Sequence, residues 1–250
     1  MEAKLYVILG SHACRTGMLL LDHKGIDYRL VELPTGLHPF ALRLAGFSGN
    51  REALRDLDGR RPQLLSTADR AGTVPSLVLD GTRVKTNRAI ARYLDEVRPD
   101  PSLFPADPAR RAAVEEAERW GDGELQMVVR RVALASVDDA DEGRLGPLLY
   151  RNAAVRRAGV LLIRRFVFTT GAAAAADLRA RLPAMFDRID AWIADGTLNG
   201  EQLYAADYVI APSLALLWYD PELRPELSSR PLIALLDRLL PDPAQRPVST

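Results

Sequence analysis

A Val74-Pro75 step feeding the short apolar run Leu77 to Leu79 constrains this chain more than any other feature. Cis peptide bonds are essentially a property of proline and usually belong to tight turns. Beyond that step, Asp80-Gly81 reads as a turn that returns the chain as a second strand. The polar pair Thr86-Asn87 then opens an amphipathic helix that runs through Leu94.

The upstream sequence supplies the rest of an α/β unit. Leu5 to Leu9 reads as a buried strand, and Gly10-Ser11 turns the chain into a helix that ends near Lys24-Gly25. Ile26 to Leu33 reads as the next strand, with Ile26, Tyr28 and Leu30 alternating against Asp27, Arg29 and Glu32. Ser11 reads as a helix cap, whose hydroxyl satisfies an orphan N–H, at a helix start that favours negative charge.

This order and spacing resemble the thioredoxin-like domain of glutathione S-transferases. The resemblance implies a cis Pro75, with Val74 offering its backbone to the thiol. It also places the functional serine of the first helix at Ser11, counted back from Lys24-Gly25, where its hydroxyl would hold the sulfur of the bound thiol, against the alternative of a plain cap. His12 adjoins that position and is included among the thiol-contacting residues. The family has Glu-Ser where this chain has Thr86-Asn87. Asn87 is expected to cap the helix in place of the serine and keep an anion site at its start. Thr86 brings no charge to hold the ammonium of a glutamyl group. Either another acid supplies that contact, or the thiol is not glutathione but another small thiol such as mycothiol.

Cys14 is the only cysteine, so no internal disulfide can form. Ser11-His12-Ala13-Cys14 looks like a Cys-x-x-Cys motif whose first cysteine has become serine, which excludes a dithiol oxidoreductase. Cys14 shares helical spacing with Met18 and Leu21, and free cysteine is among the most buried residue types, so packing is its expected role. His12, His23 and His38 lack metal-ligand spacing, and no metal site is expected.

The formal net charge is zero, which gives no footprint for nucleic acid or an anionic membrane surface. Lysine occurs only at Lys4, Lys24 and Lys85, so the basic residues are nearly all arginine. No apolar run approaches the ~18 residues of a membrane span, and no signal peptide is read at the start. A reducing cytoplasm is the expected location.

Prolines from Pro99 to Pro108 mark a boundary. The expected organisation is a thiol-binding domain at 1–98 with an insertion at about 49–72, a linker at 99–107 and an all-helical domain at 108–250. A long amphipathic helix is expected from Ala109 to about Ala135, and others from Leu148 to Phe168, Ala172 to Ala194, Asp207 to Tyr219 and Pro231 to Leu239. A short helix from Arg51 to Leu57 is expected inside the insertion. Ala206-Asp207 resembles the helix start of the family's helical domain. Tyr204 stands where a Ser or Thr would complete the capping box, so Asp207 is given a folding role.

The resemblance implies a homodimeric thiol transferase with a detoxifying chemistry, in which a bound thiolate attacks a hydrophobic electrophile between the domains. Trp120, Met127 and Arg130 are the residues placed to line that electrophile site, against the alternative that Trp120 and Met127 are core and Arg130 is a solvated face or dimer contact. A thiol-dependent peroxidase, isomerase or lyase, or a non-catalytic binding module, are the other functions the fold accommodates.

Overall fold

A computed structural model describes residues 1–8, 10–34, 37–47, 74–135 and 172–241. The expected insertion, its short helix and the helix from Leu148 to Phe168 lie outside them. The first strand, β1 (Ala3–Val7), leads into α1 (His12–His23), then β2 (Tyr28–Glu32) and α2 (His38–Leu44). The hairpin β3 (Ser76–Leu79) and β4 (Thr82–Lys85) follows, closed by Asp80 and Gly81 at positive φ, and then α3 (Asn87–Val97). The sheet order is β2-β1-β3-β4, with β1 parallel to β2 and antiparallel to β3. This is the thioredoxin-like arrangement read from the sequence.

Both faces of the sheet are covered, which is why β1 reads as nearly continuous apolar sequence. On one face Leu5, Leu77 and Leu79 pack with Leu20, Leu21, Ile90 and Leu94 of α1 and α3. On the other, Ile8, Leu33, Leu42 and Phe47 form a smaller cluster, and the Tyr6 ring meets Phe47 edge-on at 5.4 Å.

The C-terminal half is helical. α4 (Pro108–Trp120) begins at Asp107, whose carboxylate accepts from Arg110 N at 2.9 Å, and Pro108 takes the first turn. The single long helix expected here is interrupted by a π-helical turn (Gly121–Leu125) before α5 (Gln126–Ala135). A Cβ at Gly121 would meet Ile210 Cγ1 at 2.9 Å, so only glycine lets this turn approach the helix behind it. The expected helix from Ala172 to Ala194 is likewise two: α6 (Ala172–Ala180) and α7 (Leu182–Ala194), which break at Arg181 because Pro183 opens the second. α8 (Ala205–Leu217), α9 (Arg224–Ser228) and α10 (Ile233–Leu239) complete the order.

α8 is the hub. Every residue in it except Leu216 is buried, and it packs on α1 as well as on α4, α5 and α10. Asp207 fixes its start, accepting from Tyr204 N at 2.8 Å and Asn199 N at 2.7 Å. That is the folding role expected for it. The Tyr208 hydroxyl meets His23 Nδ1 at 2.8 Å, tying α8 to the end of α1.

Lys24, just past α1, is wholly buried. Its ammonium donates to Asp95 Oδ1 at 2.8 Å and to the carbonyls of Arg98 and Pro101, both at 2.7 Å. Asp95 Oδ1 also accepts from Leu103 N at 2.7 Å. The proline-rich segment after α3 is thereby laced to α1 and α3.

Candidate functional site

The sheet register brings the expected thiol-binding residues to one edge. Tyr6 pairs with Ser76, and Ser76 pairs with Lys85, so one row crosses β1, β3 and β4. Just beyond that row lie the exit from β1 toward Ser11, the entry to β3 at Val74-Pro75, and the exit from β4 into Thr86-Asn87. Residues far apart in sequence therefore converge because antiparallel pairing reverses the middle strand. The Val74–Pro75 peptide is cis. α1 lies directly on it, since a Cβ at Gly17 would come within 3.1 Å of Pro75 Cβ and Cγ.

Ser11 is the N-cap of α1, and its Oγ accepts from Cys14 N at 3.3 Å. That bond uses a lone pair and leaves the hydroxyl proton for another partner. Cys14 is fully buried and its sulfur accepts from Ile8 N at 3.4 Å. Burial pushes its thiol up to about 11, against the opposing pull of the bonds from Ser11 and Ile8 and the charge of Arg130. Cys14 is a packing residue, as its spacing implied. His12, the first residue of α1, is also buried.

At the second helix start, the capping role falls one residue earlier than expected. Thr86, not Asn87, is the N-cap of α3, and Thr86 Oγ1 accepts from Ala89 N at 3.3 Å. Thr86 holds φ 73°, a left-handed backbone that a β-branched residue rarely adopts, and such outliers cluster at ligand sites. Asn87 is instead the first helical residue, buried, with its Nδ2 donating to Asp122 Oδ1 at 3.5 Å. Among the described residues its Oδ1 has no hydrogen-bond partner.

Asp122 was not singled out in the sequence. It sits on the π turn, and burial raises its carboxyl above the usual range despite Arg88, Asn87, Arg130 and Arg92 nearby. One turn earlier, Glu118 is fully buried and gripped by Arg92 of α3, with Nη1 to Oε1 and Nη2 to Oε2 both at 2.8 Å. Burial raises its carboxyl too. The glycines flanking Asp122 were the available signal, since Gly-Asp-Gly inside a helical run marks a local distortion.

The expected electrophile-site residues divide. Trp120 is packed edge-on against Trp192 at 5.2 Å with Arg188 over both rings, which is the core reading. Met127 is buried. Arg130 is half-buried, and its charge favours the ionised forms of both Asp122 and Cys14. Among the described residues no cluster of His, Cys, Asp or Glu could hold a metal ion, and no helix is long and apolar enough to cross a membrane.

A sheet edge of this kind, with a cis proline between two helix starts and a helical half built on a buried hub, defines a thioredoxin-like protein of the two-part transferase type. Residues 5–102 match the family model of the glutathione S-transferase N-terminal domain. Solved structures agree on the fold. The beta-etherase LigF of Sphingobium sp. strain SYK-6 aligns over 98% of this chain and 97% of its own, with TM-score 0.62 and 19% identity. A glutathione S-transferase of Methylobacterium radiotolerans, in complex with glutathione sulfonate, aligns over 98% and 94%, with TM-score 0.60 and 21% identity. Among curated relatives, a maleylacetoacetate isomerase of Rattus norvegicus is 31% identical over 96 residues, covering 38% of this chain and 36% of that protein. A probable maleylacetoacetate isomerase 1 of Drosophila melanogaster is 49% identical over 43 residues, covering 17% and 18%. The chain thus matches about a third or less of the length of these relatives.

Proposed function

We propose that the chain is a glutathione S-transferase-like enzyme that binds a small thiol, glutathione or another such as mycothiol, and delivers its sulfur to an electrophilic carbon. The convergence of two helix starts on Val74-Pro75 supports this most directly. The Ser11 hydroxyl donates to the sulfur and, with the α1 start, favours the thiolate. The Val74 backbone pairs with the thiol's main chain. The α3 start, with Thr86 bonded to Ala89 N, leaves the earlier N–H groups for the thiol's carboxylate. Asp122, held by Asn87, supplies for the ammonium the charge that Thr86 lacks. The sulfur forms a bond to carbon, the leaving group departs with the displaced electron pair, and the thiol proton passes to solvent.

The partial matches to maleylacetoacetate isomerases support a second reading, isomerisation. In that case the thiolate adds to an unsaturated carbon, the adduct rotates, and the same C–S bond breaks to return the thiolate. Calorimetric titration with glutathione and, separately, mycothiol tests the shared premise. Binding at micromolar to low-millimolar strength is expected for one of them, and binding of neither sinks both readings. Product analysis then separates them, as conjugation yields a thioether and isomerisation returns the thiol unconsumed.

A further inference from the structure

His23, the last residue of α1, stands where the sheet-bearing half meets the hub helix α8. The Tyr208 hydroxyl lies 2.8 Å from His23 Nδ1, and the two ring centroids are 5.1 Å apart. Tyr208 is buried, and among the described residues this is the only hydrogen bond of its hydroxyl. His23 Nε2 is sealed from solvent and closes no full hydrogen bond among the described residues, though the carbonyls of Ser102 and Pro101 favour a proton on the ring. A carbonyl can only accept. The neutral ring therefore keeps its proton on Nε2, and Nδ1 accepts from the Tyr208 O–H.

A second proton changes this joint. It enters at Nδ1, turns that atom from acceptor to donor, and forces the Tyr208 proton away from its acceptor inside a buried site. It also sets a positive charge next to Lys24, away from water. Burial, with Lys24, outweighs the pull of Asp95 and of the Ser102 and Pro101 carbonyls, so the ring titrates below the ordinary histidine range. On the other side of the contact, burial and Asp207 keep the Tyr208 hydroxyl protonated against the charge of Arg238. We propose that His23 and Tyr208 form an acid-sensitive latch between the sheet-bearing and helical halves, which proton uptake at His23 opens. The folded chain binds fewer protons at His23 than the unfolded chain does. The stability that the closed latch contributes is therefore present above about pH 6.5 and is lost as pH falls through that value.

The test is hydrogen exchange of the full chain at about pH 7 and about pH 5, corrected for the intrinsic exchange rate. The reporter is the Ala205 amide, which donates to Leu103 O at 2.9 Å across the joint, and Leu77 in the sheet is the reference. In the natural protein, protection at Ala205 should fall at least tenfold from the higher pH to the lower, and protection at Leu77 far less. His23→Gln, whose side-chain oxygen can still accept from Tyr208 but cannot titrate, should keep Ala205 protected at both. Tyr208→Phe, which lacks the latch, should leave Ala205 poorly protected at both. Asp207, pushed up to about 6 by burial, titrates in the same window but is present in all three proteins, so the difference between the natural protein and His23→Gln isolates His23. Equal protection of Ala205 at the two pH values overturns the latch. So does the same fall in folded His23→Gln, a fall shared equally by Leu77, or full protection in Tyr208→Phe. Titration of the His23 ring by NMR in the natural protein needs no variant: a midpoint below about 6.5 is expected, and one at or above it overturns the proposal.

Discussion

At the C-terminal end of α1, Lys24 is sealed from solvent and gives its protons to Asp95 and two main-chain carbonyls at 2.7–2.8 Å. At the N-terminal end of the same helix, Ser11 makes one bond, to Cys14 N at 3.3 Å, and keeps its own proton. The first end is saturated and the second is open. The contacts of α3 with the helical run from Pro108 to Ala135 show the same division. Both oxygens of Glu118 are ion-paired with Arg92, whereas Asn87 Oδ1 has no hydrogen-bond partner among the described residues. The bonds of Lys24 and Glu118 tie elements together, whereas the Ser11 proton and Asn87 Oδ1 lie at the two helix starts beside Val74-Pro75.

The saturated end gives the largest expected effect. Lys24→Met removes the charge but keeps the length, leaving Asp95 and the carbonyls of the 98–101 segment without their donor. Breaking a buried pair in this way costs about 3–5 kcal/mol. Urea unfolding should show that loss as a lower midpoint, while a loss under about 1 kcal/mol would mean that water readily replaces the ammonium.

The open end is sharpened by comparing thiols three residues apart. Ser11→Cys places a sulfur at the helix start, where the unpaired N–H groups lower its pKa. Cys14, one turn in, is held up to about 11 by burial, leaving about a hundredfold less thiolate at neutral pH than an ordinary cysteine. Alkylation of the Ser11→Cys variant by iodoacetamide at pH 7 should therefore modify the introduced thiol and spare Cys14 until the chain unfolds. The same burial fixes a sign for stability. The folded chain keeps the Cys14 proton where the unfolded chain has released it, so stability falls as pH rises from about 9 to about 11. Unfolding midpoints of Cys14→Ala across that window should lack this decline. Rapid labelling of Cys14 in the natural protein at pH 7 would contradict both.

The legible parts of this molecule are those with local signals. Pro75, the Asp80-Gly81 turn and the Lys24-Gly25 helix end each constrain the chain within a few residues, and together they placed the sheet edge and Ser11. What stayed hidden depends on distance or on one-residue detail. Asn87 and Asp122 are joined across 35 positions, and no periodicity reports such a pair. Lys24 read only as a helix-ending residue, because nothing local shows that Asp95 and three main-chain carbonyls will close over it. The cap at Thr86 rather than Asn87 turns on a positive φ that side-chain preference argues against. The break at Arg181 was readable, since Pro183 marks a helix start more strongly than it fits a helix interior.

Asp122→Asn probes whether the carboxylate beside Asn87 serves the ligand or only the fold. The amide can still bond Asn87, so the fold should survive with little change. The ammonium of the thiol loses its counter-charge, and affinity should fall about tenfold by calorimetry. Burial raises the Asp122 carboxyl, so a larger share of it is neutral at mildly acidic pH than for an exposed aspartate. Thiol affinity should therefore increase with pH as this carboxyl ionises, and the Asn variant should be flat over the same range. Equal affinities for the two proteins at every pH would remove Asp122 from the site.

Ser11→Ala gives the smallest expected change in stability and the most direct reading of role. Loss of an N-cap costs about 1 kcal/mol, and here the single bond to Cys14 N is a long one, so the true figure should lie at or below that. A chain that loses so little stability remains folded at room temperature. Any larger loss of turnover must then come from the sulfur, which would be left without its hydrogen-bond donor. The variant should show slower conjugation at neutral pH, a raised pKa for the bound thiol in ultraviolet titration, and partial recovery of rate at alkaline pH as the thiolate forms unaided. Turnover that falls only in proportion to unfolding, with the bound thiol titrating as before, would reduce Ser11 to a cap like that of any other helix.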